Sequence, residues 1–309
     1  MKYNWEKLGL IFDPKGRAEW MKTHCQLPIA DHIKGDIYRI YFATRNEIQV
    51  SQIGYVEIDI KNPKEIIKIS EKPILRNGDL GYFDEHGVFP SSIVNFKGRK
   101  YLYYVGWVRG FESPMFYANI GLAISDDNGE TFKKIKNTPI MSRSKYDPCL
   151  VTSPDVFIDS LDGIWKMSYV SGIKWFREDG LLKSKYHIKT ATSLDGIKWI
   201  RNGNVAIDFK NEDETNIARP SVIQDGTNYK MWFSFVEKGQ KYKIGYASSK
   251  DFFNWVREDK FSGIDLSKKG FDDQMTCYPN VFGHKNSLFM LYNGNNFGMK
   301  GFGIAKIKN

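Results

Sequence analysis

Five prolines, Pro28, Pro90, Pro154, Pro220 and Pro279, divide the chain at nearly equal intervals of 62, 64, 66 and 59 residues. Each is followed by a short apolar run that ends at a turn: LPIADHI, FPSSIV, SPDVFI, RPSVI and YPNVF. A period of this size with strand-like content identifies an array of similar units, each too small to bury its own apolar face.

The remainder of each unit repeats as well. A second run follows at 38–45, 100–107, 164–172, 228–236 and 287–295, and a third at 53–59, 119–125, 186–193, 243–249 and 301–307. Both are rich in aromatic and β-branched residues, the composition of strands. A fourth opens with an aromatic in three units, at Phe132, Trp199 and Trp255. Four strands repeated radially make a propeller blade. The sequence therefore predicts an all-β, five-bladed β-propeller with four-stranded antiparallel blades, in a single domain spanning 1–309. The last unit stops after its third strand. Its missing fourth appears at the other end as NWEKLGLIF (4–12), which predicts an N-terminal strand closing the last blade and removing a free sheet edge. Two β-sandwich domains would not share a five-fold register.

Composition narrows the function. The net charge is +9, with scattered lysines that read as a solvated surface. A nucleic-acid site would want a basic stripe with exposed aromatics, whereas these aromatics fall at strand periodicity, Trp165 and Trp232 included. No nucleic-acid partner is expected. The positive charge suits attraction of an anionic substrate. No apolar stretch approaches membrane-spanning length, the N-terminus lacks a signal-type apolar region, and Cys25, Cys149 and Cys277 lack metal-binding spacing. A cytoplasmic protein without membrane contact, metal or organic cofactor is expected. Oligomeric state is not readable.

Chemistry-bearing residues gather at equivalent positions. Asp84, Glu214 and Asp273 stand six residues before their prolines, and Asp147 stands seven before, with Glu85 and Asp272 adjacent. His24 and His86 stand four before, Arg219 and Ser153 one before, and Asp155 one after. Turns after the second strands supply Arg45, Trp107, Arg109, Trp175, Asn293 and Asn295. Residues at one register in different blades form a ring about the axis. Acids, arginines, amides and tryptophans in one pocket suit a carbohydrate or nucleotide-sugar, anionic ones included. SDDNGETF (125–132), SLDGIKW and SKDFFNW read as turn devices of the Asp-box type.

FDEHGVFPSSIV, YDPCLVTSPDVFI, NIARPSVI and FDDQMTCYPNVF, with SDDNGETF and the YNGN turn, resemble the five-bladed propeller glycosidase superfamily, which holds glycoside hydrolase families 32, 43, 62, 68 and 130. The similarity spans the whole chain and extends to stand-alone glycosidase-like proteins of polysaccharide biosynthesis. It implies an acid, a base and a tuning carboxylate from different blades. Glu214 matches the fourth-blade acid, further from its proline than the E-x-P pattern expects. Ser153 occupies the position before Pro154, leaving Asp147 or Asp155 as the tuning group. KTHCQLP, opening the first blade, holds no acid, so Asp84, Glu85 or Asp273 would be the base. The expected activity is glycoside hydrolysis with Glu214 as acid. Inversion, which needs carboxyls about 6.5–9.5 Å apart, fits groups on separate blades. The alternatives are phosphorolysis or glycosyl transfer, with Arg45, Arg109, Arg219, His24 and His86 holding phosphate, and a non-catalytic sugar-binding propeller.

Overall fold

The protein is described by a computed structural model that covers residues 3–308. The chain opens with β1 (Trp5–Phe12). A first group follows: β2 (Thr23–Lys34), β3 (Ile37–Arg45), β4 (Ser51–Asp59) and β5 (Asn62–Ile69). The second is β6 (Gly87–Phe96), β7 (Arg99–Arg109), β8 (Phe116–Ser125) and β9 (Lys133–Lys134). The third is β10 (Leu150–Ile158), β11 (Trp165–Glu178), β12 (Leu181–Ser193) and β13 (Val205–Ile207). The fourth is β14 (Glu214–Asp225), β15 (Asn228–Glu237), β16 (Lys243–Ser249) and β17 (Trp255–Arg257). The last is β18 (Cys277–His284), β19 (Ser287–Asn293) and β20 (Phe302–Ile307), completed by β1, with Trp5 opposite Ile307 and Phe12 opposite Phe302.

The sheets differ from five separate sets of four. One sheet has four strands and two have eight. Each eight-stranded sheet is two antiparallel groups joined by one parallel pair, Ser51 with Gly87 and Tyr186 with Asn216. Gly87 permits the first junction. Its φ is +150°, and a Cβ there would stand 2.0 Å from Ser51 Oγ and 2.6 Å from Trp107 Nε1. The outer strands at Phe132 and Trp255 are short. Near Trp199 only Ile200 bridges to Thr192, and the paired outer strand of that group comes later, at β13.

The first strands of the groups touch one another in a closed cycle, β2 to β6 to β10 to β14 to β18 and back to β2. Apolar cores fill the spaces between successive groups, and strand alternation assigns each residue to one of them. In β3, Ile40 and Phe42 face the last group while Tyr41 faces the second. In β7, Leu102 and Tyr104 face backward and Tyr103 forward. In β15, Met231 and Phe233 meet the third group and Trp232 the last. A buried side chain such as Phe42 contributes about 1.5–3 kcal/mol over leaving it in water.

A hydrogen-bond girdle follows the same cycle. Asn280 Oδ1 accepts the Ala30 N–H at 2.9 Å, Ser92 Oγ that of Val156 at 3.1 Å, Asp155 Oδ2 that of Val222 at 2.7 Å, and Ser221 Oγ that of Val281 at 2.8 Å. These polar residues lie one or two places after the repeat prolines. They satisfy backbone donors on inner edges that no strand covers. At the remaining junction Ile29 packs into the core shared by the first and second groups.

In the Asp-box turn Ser125 Oγ receives the Gly129 N–H and Asp127 Oδ1 that of Thr131, and Ser193 with Asp195 and Ser249 with Asp251 repeat the pattern. The three cysteines are free. Among the described residues no helix is long and apolar enough to cross a membrane.

Candidate functional site

Four of the five residues before the repeat prolines have left-handed backbone: Leu27 (φ 53°), Ser153 (48°), Arg219 (53°) and Tyr278 (56°). Strand register slips at each of these places. Such bulges re-aim side chains, and non-glycine residues hold this conformation, at a cost of order 1–3 kcal/mol, only where their surroundings fix it. Here they turn toward the axis. A cavity of about 640 Å³ opens there, and every inner strand contributes to it: Leu27 from β2, Phe89 from β6, Ser153 from β10, Ala218 from β14 and Tyr278 from β18.

The walls come from the ends of second and third strands. Arg45 closes β3, and Trp107 and Arg109 close β7, while Tyr186 from β12 and Phe116 from β8 add aromatic surface. Arg45 Nε donates to Gln26 Oε1 at 3.1 Å. Arg109 Nη2 donates to the Ile48 carbonyl at 2.7 Å. Burial lowers the Arg45 pKa, Tyr278 opposes this, and the Arg109 charge adds to it. Trp107 stacks on Phe89 with centroids 6.0 Å apart and donates Nε1 to Ser51 Oγ at 2.9 Å. His24, beside Arg45, is pushed down to about 4 by burial and then by the Arg45 charge.

Of the residues expected at the site, Arg45, Trp107, Arg109 and Ser153 line this cavity. His24 borders it through Arg45, His86 packs 6.1 Å from Trp107, and Trp175 meets Phe116 edge-on at 5.8 Å. The expected ring of carboxylates is not among its lining residues. Asp84, Asp147, Glu214 and Asp272 are at most 2% exposed, and each closes an ion pair inside its own group. Asp84 meets Lys134 at 2.6 Å and the Tyr104 hydroxyl at 3.3 Å. Asp147 meets Arg201 at 2.8 Å and the Tyr169 hydroxyl at 3.1 Å. Asp272 meets Lys7 at 2.7 Å and the Tyr292 hydroxyl at 2.9 Å. Glu214 meets Arg257, whose guanidinium lies over Phe233, the counterpart of the tyrosines. In each case a lead-in acid ties the second strand and the outer edge of its group together. In the first group apolar Met21 and Phe42 fill these places.

The remaining expected residues are engaged locally. Asp273 accepts from Asn295 Nδ2 at 2.7 Å, and Glu85 from the Gly81 N–H. Asn295 Oδ1 receives the Gln274 and Met275 N–H groups. Asn293 clamps β2, accepting the Leu27 N–H and donating to the Cys25 carbonyl. Asp155 belongs to the girdle; burial raises it to about 6, against the pull of Arg219. Arg219 reaches from the fourth group to the Ser91 carbonyl of the second, with Nε and Nη2 unpartnered among the described residues. Among these residues no cluster of three His, Cys, Asp or Glu side chains is arranged to hold a metal ion.

Sequence reasoning missed Gln26, Gln49, Thr152, Tyr186 and Tyr278. The signal for several was the register one or two places before each proline rather than six.

No protein-family model matches the chain. It is 38% identical over 305 residues, 99% of either length, to Uncharacterized protein Rv1502 of Mycobacterium tuberculosis strain H37Rv and to Uncharacterized protein MT1551 of strain CDC 1551. The chain belongs to the family of these two proteins. Among solved structures, a glycoside hydrolase superposes on this family member with TM-score 0.77 at 20% identity, over 100% of this chain and 92% of the other. A thermostable family-43 glycoside hydrolase gives 0.67 at 18%, over 92% and 89%. Beta-1,2-mannobiose phosphorylase from Listeria innocua, in complex with beta-1,2-mannobiose, gives 0.71 at 11%, over 100% and 97%. At these identities the likeness is one of fold, and the fold of the family is that of the glycosidase-like propellers.

Proposed function

We propose that the protein is a five-bladed propeller that binds a saccharide in the axial cavity and does not cleave it through paired carboxylates. One observation carries this reading: the cavity lining holds aromatic, amide, hydroxyl and guanidinium groups and no Asp or Glu. Aromatic walls with a few convergent polar groups suit a sugar. Paired-carboxylate hydrolysis needs two acids flanking the bond. The resemblance to family 43 puts such acids close to the repeat prolines. Here the position before Pro28 is Leu27, that before Pro154 is Ser153, and the E-x-P position before Pro220 is Ala218, all of them lining residues. The closed cycle of inner strands supports the five-blade count, each group being one blade.

The test is a panel of oligosaccharides read both for binding and for release of reducing ends. Binding without release is expected, with Trp107→Ala weakening it at least about tenfold, as for a central aromatic contact. Release of reducing ends by the wild type would overturn the non-hydrolytic reading, and absence of any saccharide binding would overturn the whole.

A further inference from the structure

Of the other arginines in the protein's interior, Arg39 binds Glu57 and Glu130, Arg201 binds Asp147 and Arg257 binds Glu214 and Asp259, while Arg219 donates to the Ser91 carbonyl away from the cavity lining. Arg45 and Arg109 are different. Both line the cavity, and among the described residues neither has a carboxylate within ion-pair distance. Their protein contacts are uncharged and partial. Gln26 takes Nε of Arg45, which leaves its two terminal nitrogens uncommitted, and the Ile48 carbonyl takes only Nη2 of Arg109. Two cations therefore share one wall, close enough that the charge of one disfavours protonation of the other. Hydroxyls of Thr152 and Ser153 line the same cavity.

A guanidinium presents paired donors that match the oxygens of a carboxylate or phosphate. Gathering two of them without a counter-charge costs energy unless an anion completes the arrangement. We propose that Arg45 and Arg109 bind an oxyanion carried by the ligand, so that the cavity selects acidic saccharides: sugars bearing a carboxylate or a phosphate ester. This rests on the saccharide reading above and names the class of saccharide.

The experiment is calorimetric titration of the full-length protein with matched sets of glucose, galactose and mannose, each in its neutral, uronate and 6-phosphate form, with inorganic phosphate as a further probe. At least one acidic form should bind about tenfold or more tightly than its neutral parent. Whether uronate or phosphate wins identifies the source of the oxyanion. Arg45→Gln and Arg109→Gln should each weaken that binding about 10- to 100-fold, the loss of a charged hydrogen bond, and added salt should weaken it in the wild type. Arg109 is exposed, so Arg109→Gln keeps the test open even where Arg45→Gln fails to fold. Equal affinity for neutral and acidic forms, unchanged in both variants, would overturn the proposal and leave the saccharide reading standing. Binding of inorganic phosphate with no binding of any sugar would support the oxyanion site and overturn the saccharide reading. No binding of any probe would overturn the proposal.

Discussion

Arg257 holds Glu214 by both carboxylate oxygens, Nη1 to Oε2 and Nη2 to Oε1, each at 2.7 Å. Glu214 also receives the Lys210 N–H at 2.9 Å. A carboxylate so engaged and buried stabilises its blade. Glu214→Gln should lower stability by about 3 kcal/mol, near the low end for breaking a buried pair because Asp259 still faces Arg257. Saccharide affinity should stay within about twofold. Denaturant unfolding and calorimetry check both, and Asp84→Asn and Asp272→Asn should behave alike.

Asn280 closes the girdle between the last blade and the first. Asn280→Ala strands the half-buried Ala30 N–H, and loss of its partner should cost about 1 kcal/mol, the low end for a buried donor. Urea unfolding should show that loss at an unchanged slope. A change below about 0.5 kcal/mol would remove the girdle from the account of ring closure.

His24 gives the pH dependence. Burial and Arg45 hold it near 4 in the folded protein, whereas an unfolded imidazole titrates near 6.5. Between these values the unfolded state carries the extra proton. The stabilisation is complete above about pH 6.5 and is lost as pH falls toward 4, a change of about 3 kcal/mol. His24 has φ 65°, a conformation asparagine tolerates. The difference in stability between His24→Asn and wild type should therefore vary with pH in this window. A difference that stays constant there would contradict the assignment.

The strand repeat was legible because each proline carries its own strand, and strand composition is local. The lead-in acids were equally visible as a repeat, but the partners that hold them were not. Asp84 finds Tyr104 and Lys134, and Asp272 finds Lys7 at the opposite end of the chain. Pairing over such separations is set by packing between strands. Arg45, Trp107 and Arg109 were legible because the ends of second strands are fixed by the repeat. Leu27, Phe89 and Ala218 were not, since nothing in their chemistry distinguishes a cavity lining from a core, and at four of the five prolines it is a bulge at the preceding residue that turns the chain there.

Gly87 couples blade junction to cavity. Gly87→Ala would place a methyl 2.0 Å from Ser51 Oγ and 2.6 Å from Trp107 Nε1, at a φ that strains any side chain. It should destabilise the fold by about 1–3 kcal/mol and weaken saccharide binding by displacing Trp107. Full affinity in a folded Gly87→Ala protein would separate Trp107 from the binding surface.

The most direct measurement is a parallel comparison of wild type, Trp107→Ala and Glu214→Gln, each titrated with the best saccharide of the panel and assayed for reducing-end release from it. Trp107→Ala should lose affinity, Glu214→Gln should keep it, and none of the three should release product. Turnover in the wild type that vanishes in Glu214→Gln while binding persists would contradict this, because Glu214 would then be a catalytic acid rather than the latch of its blade.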